Sequence, residues 1–348
     1  MELTKNIEFQ ESVTTDELQL AMSGKHLALD TGKKKIRLYY TSDVHGSTTC
    51  FKKFLKAGQI YQADIIILGG DLSGKLIVPI FKEDSDTYSA RFQESPVTVR
   101  GELQLKELLA KIRFTGSYYV ILEKGEETNF ASESEREKLF VRVLKDATRE
   151  WMQLAEERLR DSKTICLVMP GNDDPMDIDP IIESSTRVIN PDGKLITIDG
   201  TYEIASSSFG NITPWNCPRD IQESDLEAKL ETVCSMIKST ETAVLNFHVP
   251  PYDSGLDMAP KLDASLKIVT EMGQPVMVPV GSHAVRKLIE KYQPLIGLHG
   301  HIHESKGTNT IGRTFCVNPG SEYAEGVLHG VIIDLEKGRL QTHILTQG

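Results

Sequence analysis

Short apolar runs recur along the chain, each ends at a polar residue, and helix-like patterns separate them. Five of these runs are KIRLYYTSDVHG (35–46), ADIIILGGD (63–71), TICLVMPGND (164–173), AVLNFHVP (243–250) and LIGLHGHIH (295–303). Runs of this length, rich in β-branched residues, are typical of buried strands, and their alternation with helical patterns is typical of α/β folds. Three further strands are predicted at 313–317, 327–334 and 340–345.

Four helices are predicted between the strands. The longest opens with the capping-box pattern Ser134-x-x-Glu137 and carries apolar side chains on one face, namely Phe140, Val143, Leu144, Ala147, Trp151 and Ala155. The other three cover residues 51–57, 221–238 and 282–291. Their apolar stripes are interpreted as faces that pack on the core.

The segment from about 76 to 129 interrupts this alternation. It contains two short strand-like runs, TYSARF and SPVTVRG, then a helix-like stretch at 102–112 and the run SYYVILEK. We interpret it as an insertion between the second core strand and the long helix. The chain is 348 residues long, which suits two average domains or one large α/β domain with an insertion. The second arrangement gives one domain over 36–348 and an N-terminal extension over 1–35.

The composition is that of a globular protein, with 39% apolar and 26% charged residues. The net charge of -11 disfavours binding to long nucleic acids or anionic membranes, because like charges repel and no basic patch offsets the total. No stretch reaches the length of a membrane span, and the start of the sequence lacks a signal-peptide pattern. We therefore expect a cytoplasmic protein with no membrane partner. The five cysteines form no C-x-x-C pair, so neither a disulfide framework nor a thiolate zinc site is expected.

Each of the five core runs ends in side chains that can bind a metal ion. In chain order they are Asp43 and His45, Asp71, Asn172, His248, and His301 with His303. In open α/β sheets ligands bind beyond the carboxyl ends of the strands, so these side chains are expected to meet at one edge. A single Asp or His in such a position is usually a turn former or a structural residue. Five in succession are hard to explain as turns and indicate a metal site.

The residue types indicate which ions and which chemistry to expect. Imidazole, carboxylate and amide ligands suit Mn, Fe, Zn, Co or Ni. Seven ligands are too many for one ion and suit two divalent ions when a carboxylate bridges them. Two such ions roughly 3.5–4 Å apart lower the pKa of a bridging water and stabilise the attacking and leaving oxygens of an in-line displacement. Phosphoester hydrolysis is the expected reaction, with a small phosphodiester or phosphomonoester as substrate.

The sequence resembles the calcineurin-like metallophosphoesterases. Their motifs D-x-H, G-D, G-N-x-[DE], H and G-H-x-H occur here in the family's order, as Asp43-Val44-His45, Gly70-Asp71, Gly171-Asn172-Asp173-Asp174, His248 and Gly300-His301-Ile302-His303. The stretches HGHIHESKG and NPGSEY (318–323) are most similar to the small bacterial and archaeal branch of the family. The resemblance implies a four-layer αββα sandwich of two mixed β-sheets flanked by helices.

Carried over by motif, the resemblance implies that Asp43, His45, Asp71 and His303 hold the first metal ion. Asp71 then bridges to a second ion, which Asn172, His248 and His301 complete. The acidic stretch GNDDP at 171–175 is, on this basis, part of a metal-binding loop. Manganese is one candidate ion, and the identity of the native pair stays open.

Position 173 departs from the family pattern. Many phosphatases of the family have His there, usually assigned to stabilising the transition state or protonating the leaving group, whereas this chain has Asp173. The absence of that imidazole argues against general monoesterase activity and makes a phosphodiester the favoured substrate. Asp173 is either a general acid, if burial keeps it protonated, or a turn residue, and the turn is the favoured interpretation. The candidate catalytic residues are therefore Asn172, Asp173 and His248.

Cationic residues near the start of the insertion are candidates for binding the substrate phosphate. They are Lys75, Arg91 and Arg100, since a basic group above the metal ions can pair with phosphate oxygens. A solvated surface charge is the alternative for each of them. His299 is either a support for the metal ligands or a packed strand histidine, and His283 is predicted to be structural.

Two other functions compete with hydrolysis. Gly69 to Lys75 matches G-x-x-x-x-G-K, the start of a nucleotide-binding P-loop. Leu76 lacks the hydroxyl that should follow, and Pro79 falls where a helix must form, so this match is interpreted as chance. A scaffold or binding protein on the same fold is the other alternative. The natural substrate, the oligomeric state and the role of the insertion, as a lid or as a structural element, stay open.

Overall fold

Two mixed β-sheets pack face to face in the computed structural model, which describes residues 25–126, 130 and 132–348. The predicted N-terminal extension is thus described from residue 25 only, and residues 127–129 of the predicted insertion lie outside the described residues. The helices are α1 (Thr48–Ile60), α2 (Gly101–Phe114), α3 (Glu133–Leu159), α4 (Asp179–Glu183), α5 (Glu223–Cys234) and α6 (His283–Tyr292).

The six-stranded sheet contains three parallel strands that precede predicted metal ligands. In spatial order its members are β23 (Arg339–Gln347), β22 (His329–Glu336), β2 (Lys35–Thr41), β3 (Ile65–Gly69), β8 (Ile165–Met169) and β9 (Val188–Ile189). Strands β2, β3, β8 and β9 are parallel, while β22 and β23 add antiparallel pairs at one side. The residues that follow β2, β3 and β8 therefore leave the same edge of the sheet.

The seven-stranded sheet contains the remaining strands that precede predicted ligands. In spatial order its members are β1 (His26–Leu29), β10 (Leu195–Ile198), β11 (Tyr202–Ser207), β14 (Ala243–Phe247), β19 (Ile296–Leu298), β21 (Thr314–Asn318) and β20 (Gly307–Ile311). Strands β11, β14, β19 and β21 are parallel. Strand β1 comes from the predicted N-terminal extension and pairs with β10, so this part of the extension belongs to the central sheets.

Apolar side chains fill three interfaces, one between the two sheets and two between a sheet and the helices that cover it. Between the two sheets, Ile36, Leu38 and Tyr40 of β2 pack in one cluster with Ile196 of β10. The alternate residue Tyr39 belongs to a second cluster, which includes residues of α1 and α3. Helices α5 and α6 bury a third cluster against the outer face of the seven-stranded sheet. The order helix, sheet, sheet, helix confirms the predicted α/β class and its four-layer αββα arrangement.

The predicted core strands and the four predicted helices are confirmed, with shifted ends. The capping-box prediction is wrong, because α3 already begins at Glu133 and its N-cap is Ser132, in extended backbone conformation. Glu133 and Glu135 occupy the first turn, where acidic side chains face the positive end of the helix dipole and favour the earlier start. In α6 the predicted start is right, since Ser282 is the N-cap and accepts a hydrogen bond from Val285 N.

The segment after β3 forms a small sheet of its own. It consists of β4 (Ile77–Lys82), β5 (Thr87–Phe92), β6 (Ser95–Arg100) and β7 (Tyr118–Leu122), in the spatial order β6-β5-β4-β7. Helix α2 packs on this sheet through Leu105, Leu108 and Ile112, which contact Val78 and Ile80 in a separate apolar cluster. This small sheet therefore has a core distinct from the two central sheets.

Short strand pairs complete the architecture. They are β12 (Gly210–Asn211) with β13 (Asp220–Ile221), β15 (Met258–Pro260) with β18 (Met277–Pro279), and β16 (Thr270–Glu271) with β17 (Gln274–Pro275). Within the described ranges, no helix combines the length and apolar character that crossing a membrane requires.

The packing of α3 on α1 generates a stability prediction. Trp151 is 6% exposed, its ring stacks on Phe51 with 4.3 Å between centroids, and its Nε1 donates to Thr48 Oγ1 at 3.2 Å. Trp151→Ala leaves a cavity and should lower the free energy of unfolding by about 3–5 kcal/mol, measured by urea denaturation with circular dichroism. Trp215 is 66% exposed and gives the matched control, since Trp215→Ala should cost less than about 0.5 kcal/mol. Equal losses in the two variants would contradict this packing.

Candidate metal centre

Six acidic and histidine side chains meet where the carboxyl ends of the two sheets face each other. They form two groups, Asp43 with His45 and His303, and Asp71 with His248 and His301, and in each group the potential ligand atoms all lie within 4.8 Å of one another. We call these six residues the Asp/His cluster. Asp43, His45 and Asp71 follow strands of the six-stranded sheet, and the other three follow strands of the seven-stranded sheet. The predicted convergence of strand ends thus brings these side chains together.

Asp71 connects the two groups of the cluster. Its Oδ2 lies 3.5 Å from His45 Nε2, and its Oδ1 lies 3.2 Å from His248 Nε2. The first group is as closely spaced, with 3.0 Å between His45 Nε2 and His303 Nε2 and 3.5 Å between His303 Nε2 and Asp43 Oδ1. A carboxylate with one oxygen toward each group has the position that a bridging ligand needs. The cluster could therefore hold metal ions, and Asp71 lies between the two possible positions.

Asn172 is buried next to the cluster. The backbone N–H of the following residue, Asp173, donates to Asp71 Oδ1 at 3.1 Å. The amide nitrogen Nδ2 of Asn172 donates to Asp220 Oδ1 at 2.9 Å. Its Oδ1 is buried and has no hydrogen-bond partner among the described residues, and the same is true of His248 Nε2, whose close approach to Asp71 lacks hydrogen-bond alignment.

The orphaned atoms test whether the site suits metal ions. A buried polar atom without a partner costs free energy, so such atoms in a native structure call for a ligand. Asn172 Oδ1 is an electron-pair donor, and His248 Nε2 becomes one when its proton is displaced. Together with the carboxylates they form a donor set that suits Mn, Fe, Co, Ni or Zn. The residues present therefore fit divalent metal ions.

The backbone at the cluster adopts conformations that are rare for residues other than glycine. The φ angles of Asp43, His45, Asp71 and His301 are 58°, 36°, 52° and 67°. Such strained residues persist where the surrounding structure fixes them, and they concentrate at functional sites. The backbone of Gly171 in the G-N-x-[DE] motif lies close to the carboxylate of Asp71. A Cβ atom at this position would collide with that carboxylate, which explains the glycine.

Asp174 holds the two loops beside Asn172 and Asp71 together. Its side chain is buried and accepts hydrogen bonds from the backbone N–H groups of Gly171 at 2.7 Å, Leu72 at 2.9 Å and Ser73 at 2.8 Å. Burial, aided by the negative charge of Asp71, raises the pKa of Asp174 to about 6. The sequence analysis assigned no role to Asp174. In the sequence, only the second aspartate of GNDDP pointed to this role. Its carboxylate accepts hydrogen bonds from the loop backbone rather than binding a metal ion.

Asp173 faces Lys75 at the edge of the cluster. Its Oδ2 lies 2.7 Å from Lys75 Nζ, and its Oδ1 accepts from Cys217 Sγ at 2.7 Å. Both carboxylate oxygens of Asp173 therefore contact donors. Asp173 lies in a turn, which fits the favoured interpretation, and its role as a general acid stays a prediction.

The three predicted phosphate-binding cations are separated in the structure. Lys75 lies beside the cluster with a side chain that is 48% exposed. Burial lowers its pKa, but the charges of Asp173 and Asp71 outweigh this effect, so the pKa is raised and the amine is a cation. Arg91 lies on β5 and Arg100 at the end of β6. In the described part of the chain, neither arginine has a hydrogen bond or ion pair with the cluster, and their role in binding phosphate remains a prediction.

Tyr323 is a residue of the site that the sequence analysis missed. Its ring lies 4.8 Å from the ring of His45 and 5.8 Å from that of His303, measured between centroids. The neighbouring Ser321 donates to the backbone oxygen of Asp43 at 2.6 Å. The motif NPGSEY, noted only for its resemblance, thus brings an aromatic ring and a backbone anchor to the cluster.

Two other histidines have structural contacts. His299 Nδ1 lies 2.8 Å from Phe247 O and 3.1 Å from Val249 O, the carbonyls on either side of His248. Burial lowers the pKa of His299 to about 4, so the ring is neutral and packs within the sheet while fixing the end of β14. His283 stacks on Tyr252 with 3.9 Å between ring centroids, outside the cluster.

The residues after Lys75 form β4 rather than a helix. A P-loop needs a helix whose N-terminal N–H groups face the phosphates, so the resemblance of residues 69–75 to that motif is a chance match.

The buried charges of the cluster partly offset one another. Burial raises the pKa of both Asp43 and Asp71. Interactions with His303 and His248 outweigh this effect for Asp43, and those with His248 and His45 outweigh it for Asp71, so the pKa of each is lowered and both carboxylates stay ionised. Burial lowers the pKa of His248, yet the charges of Asp71 and Asp43 raise it to about 10. Burial lowers the pKa of His45 to about 4. Without metal ions, the cluster therefore holds two carboxylates, a protonated His248 and a neutral His45.

Comparison with known proteins reveals distant similarities. No protein-family model matches the chain. An uncharacterized protein of Methanocaldococcus jannaschii is 32% identical over 155 residues, a segment that covers 44% of this chain and only 62% of that relative. One solved structure superposes with a TM-score of 0.52 at 15% identity and covers 90% of this chain and 99% of its own. This similarity shows a shared fold.

Two further solved structures align less closely. A protein of Thermus thermophilus has a TM-score of 0.48 at 15% identity, covering 90% of this chain and 98% of that one. An archaeal phosphodiesterase has a TM-score of 0.29 at 11% identity, covering 89% and 100%. By its own fold and site, the chain is an αββα sandwich with an Asp/His cluster that could hold metal ions.

The charge balance predicts how metal affinity depends on pH. A metal ion binds neutral imidazole, so it must displace the proton of His248, which stays bound well above neutral pH because the pKa is about 10. Between about pH 8 and pH 6, affinity for Mn²⁺ should fall roughly tenfold per pH unit for each displaced proton. Isothermal titration calorimetry in buffers of different ionisation enthalpy measures both the affinity and the released protons.

His283→Ala gives the control for this titration. It removes an imidazole outside the cluster and should leave proton release unchanged. A wild-type affinity that is constant over this pH range would contradict a protonated His248 in the metal-free protein.

Proposed function

We propose that the protein is a phosphoric ester hydrolase with two divalent metal ions, of the calcineurin-like metallophosphoesterase type. The observation that carries this proposal is the position of Asp71, which has one carboxylate oxygen toward His45 and the other toward His248. A carboxylate between two groups of nitrogen and oxygen donors is the arrangement that two closely spaced ions require. Such a pair suits in-line displacement at phosphorus.

The proposed ligands of each ion include one of the two groups of the cluster. Asp43, His45, Asp71 and His303 would hold the first ion, and Asp71, Asn172, His248 and His301 the second. When bound, the two ions supply Lewis acidity toward phosphate oxygens and make a nucleophile from water near neutral pH. Asn172 would contribute its buried Oδ1, which has no partner among the described residues. Manganese is a suitable ion for this donor set.

Lys75 would bind a non-bridging oxygen of the substrate phosphate. Its amine is a cation beside the cluster, and a charge-assisted hydrogen bond to phosphate is stronger than one between neutral groups. The ion pair with Asp173 at 2.7 Å holds the amine there. Asp173 would thus act on the substrate through the position of Lys75.

The charge at position 173 favours a phosphodiester over a phosphomonoester. A monoester carries between one and two negative charges near neutral pH, because its second pKa is about 6, whereas a diester carries one. Many phosphatases of the family have His at this position, and Asp173 makes the surroundings of the substrate less positive than an imidazole would. The attraction for the more negative monoester is therefore weakened more than that for a diester. We therefore infer that small phosphodiesters are the substrates.

Turnover of two chromogenic esters tests the proposed function. Protein reconstituted with Mn²⁺ should hydrolyse bis-p-nitrophenyl phosphate faster than p-nitrophenyl phosphate. Asn172→Ala removes a ligand and should reduce turnover by more than the ~10–100-fold typical of residues that only support ligands. Asn309→Ala, on the edge strand β20, is the matched control and should retain activity. Metal-loaded protein without turnover of either ester would point instead to a binding protein on this fold.

Removal of the Lys75 amine tests phosphate binding. Lys75→Ala should raise KM for the diester, and the inhibition constant of inorganic phosphate, by about 10–100-fold, because a hydrogen bond to a charged group contributes about 1.5–3 kcal/mol. Lys75→Arg keeps the charge and should recover part of the loss. Lys82→Ala removes an amine that pairs with Glu123 on the small sheet and should leave both constants unchanged. An unaltered KM in Lys75→Ala would exclude this role.

A further inference from the structure

The side-chain amide of Asn172 has two chemically different ends, and only its oxygen can bind a metal ion. The two ends have nearly the same shape, so the orientation of the amide depends on its hydrogen-bond partners. In this structure Nδ2 donates to Asp220 Oδ1 at 2.9 Å, while Oδ1 is buried without a partner among the described residues. The partner of the nitrogen therefore determines which atom is left for the metal ion.

Asp220 is held by its own loop in a way that leaves one oxygen for Asn172. Its Oδ2 accepts from Thr213 N at 2.9 Å, from Thr213 Oγ1 at 2.5 Å and from Cys217 N at 2.9 Å. An ionised carboxylate only accepts hydrogen bonds. Because Oδ2 is occupied by three donors, Oδ1 faces Asn172 and requires its NH2 group.

The turn that contains Asp220 is also attached to the backbone of the metal-binding loop. We call residues 217–220, with the sequence Cys-Pro-Arg-Asp, the CPRD turn. Arg219 N donates to Asn172 O at 3.0 Å, and its fully buried side chain donates from Nε to Asp174 O at 2.8 Å. Asp179 accepts from the same guanidinium at 2.6 Å. The position of Asp220 relative to Asn172 is therefore fixed by several bonds besides the one between the two side chains.

We propose that Asp220 is a positioning residue that sets the Asn172 amide with its oxygen available to the second metal ion. The inference rests on the proposed binuclear centre and extends it to a residue 48 positions away in the sequence. Through this contact, Asp220 determines the affinity of the second ion without touching it. The three hydrogen bonds to Oδ2 hold the loop of Asp220 in place, whereas the hydrogen bond to Oδ1 orients the Asn172 amide.

A substitution that keeps the loop and reverses the polarity toward Asn172 tests this role. In Asp220→Asn, the amide oxygen can replace Oδ2 and keep the three loop donors, while the NH2 group replaces Oδ1. Two NH2 groups would then face each other, so the Asn172 amide turns and presents nitrogen to the second ion. Calorimetric titration of the metal-free protein with Mn²⁺ should show that affinity for the second ion falls about 10–100-fold and that the first site is unchanged.

A polarity swap separates positioning from a structural role. In the double variant Asn172→Asp/Asp220→Asn, the carboxylate at 172 accepts from the amide at 220 and keeps an oxygen for the ion. Affinity for the second ion should return to within about tenfold of the wild-type value. Thr213→Val removes one donor to Oδ2 but keeps the contact with Asn172, and it should leave the second affinity within about threefold. Melting temperatures of the metal-free variants show that each is folded.

The outcomes distinguish this inference from the proposed function. If the wild-type protein binds no second ion, the binuclear centre fails and the role of Asp220 fails with it. If the wild-type protein binds two ions and Asp220→Asn binds them equally well, the positioning role alone is overturned. A loss in Asp220→Asn that the double variant does not restore also overturns it, because Asp220 then acts only through the loop.

Discussion

The buried carboxylate of Asp71 is the group around which loops of both sheets are arranged. Its side chain is 2% exposed, and an ion removed from water loses several kcal/mol of solvation that local partners must offset. Its backbone oxygen accepts from Val44 N and His45 N, both at 3.0 Å, and its Oδ1 accepts from Asp173 N at 3.1 Å. His248 reaches the same oxygen from the other sheet. Groups from the loops that follow β2, β8 and β14 thus converge on this one residue.

The small sheet is joined to the loops around Asp71 by the residues that precede β4 and β7. The chain leaves the core three residues after Asp71, and Gly74 N donates to the hydroxyl of Tyr118 at 2.9 Å. Gly116 approaches His45 O so closely that a Cβ atom there would collide with it. Lys75 is the next residue after Gly74, so the cation that faces the cluster lies on the connection to the small sheet. The selection of substrates by this sheet stays a prediction, but the residues that precede β4 form part of the wall of the site.

The sequence was sufficient for features encoded locally and insufficient for those that depend on distant contacts. Apolar runs that end in Asp, Asn or His predicted the core strands and the convergence of the cluster. The hairpin of β10 and β11 was missed, although Asp199-Gly200 between β-branched runs carries the signal. Their φ values of 49° and 62° are positive, as at the centre of a type I′ turn, and Thr201 completes the three-residue connection. Asp220 and Tyr323 reach the site from remote positions, and no local pattern encodes such contacts.

Side-chain hydrogen bonds to the backbone hold the loops of the site in place. Asp174 fixes the loops beside Asp71 and Asn172, and Asn318 Nδ2 donates to the carbonyls of Gly300 at 3.1 Å and Ile302 at 2.9 Å. These bonds keep strained residues such as His301 in place, so the cost of that strain is met during folding. Metal ions bound at the cluster would therefore not have to order these loops themselves. Under the proposed function, affinity would depend mainly on proton competition and on the orientation of ligand atoms. Through that orientation, a single carboxylate behind Asn172 would control one of the two ions.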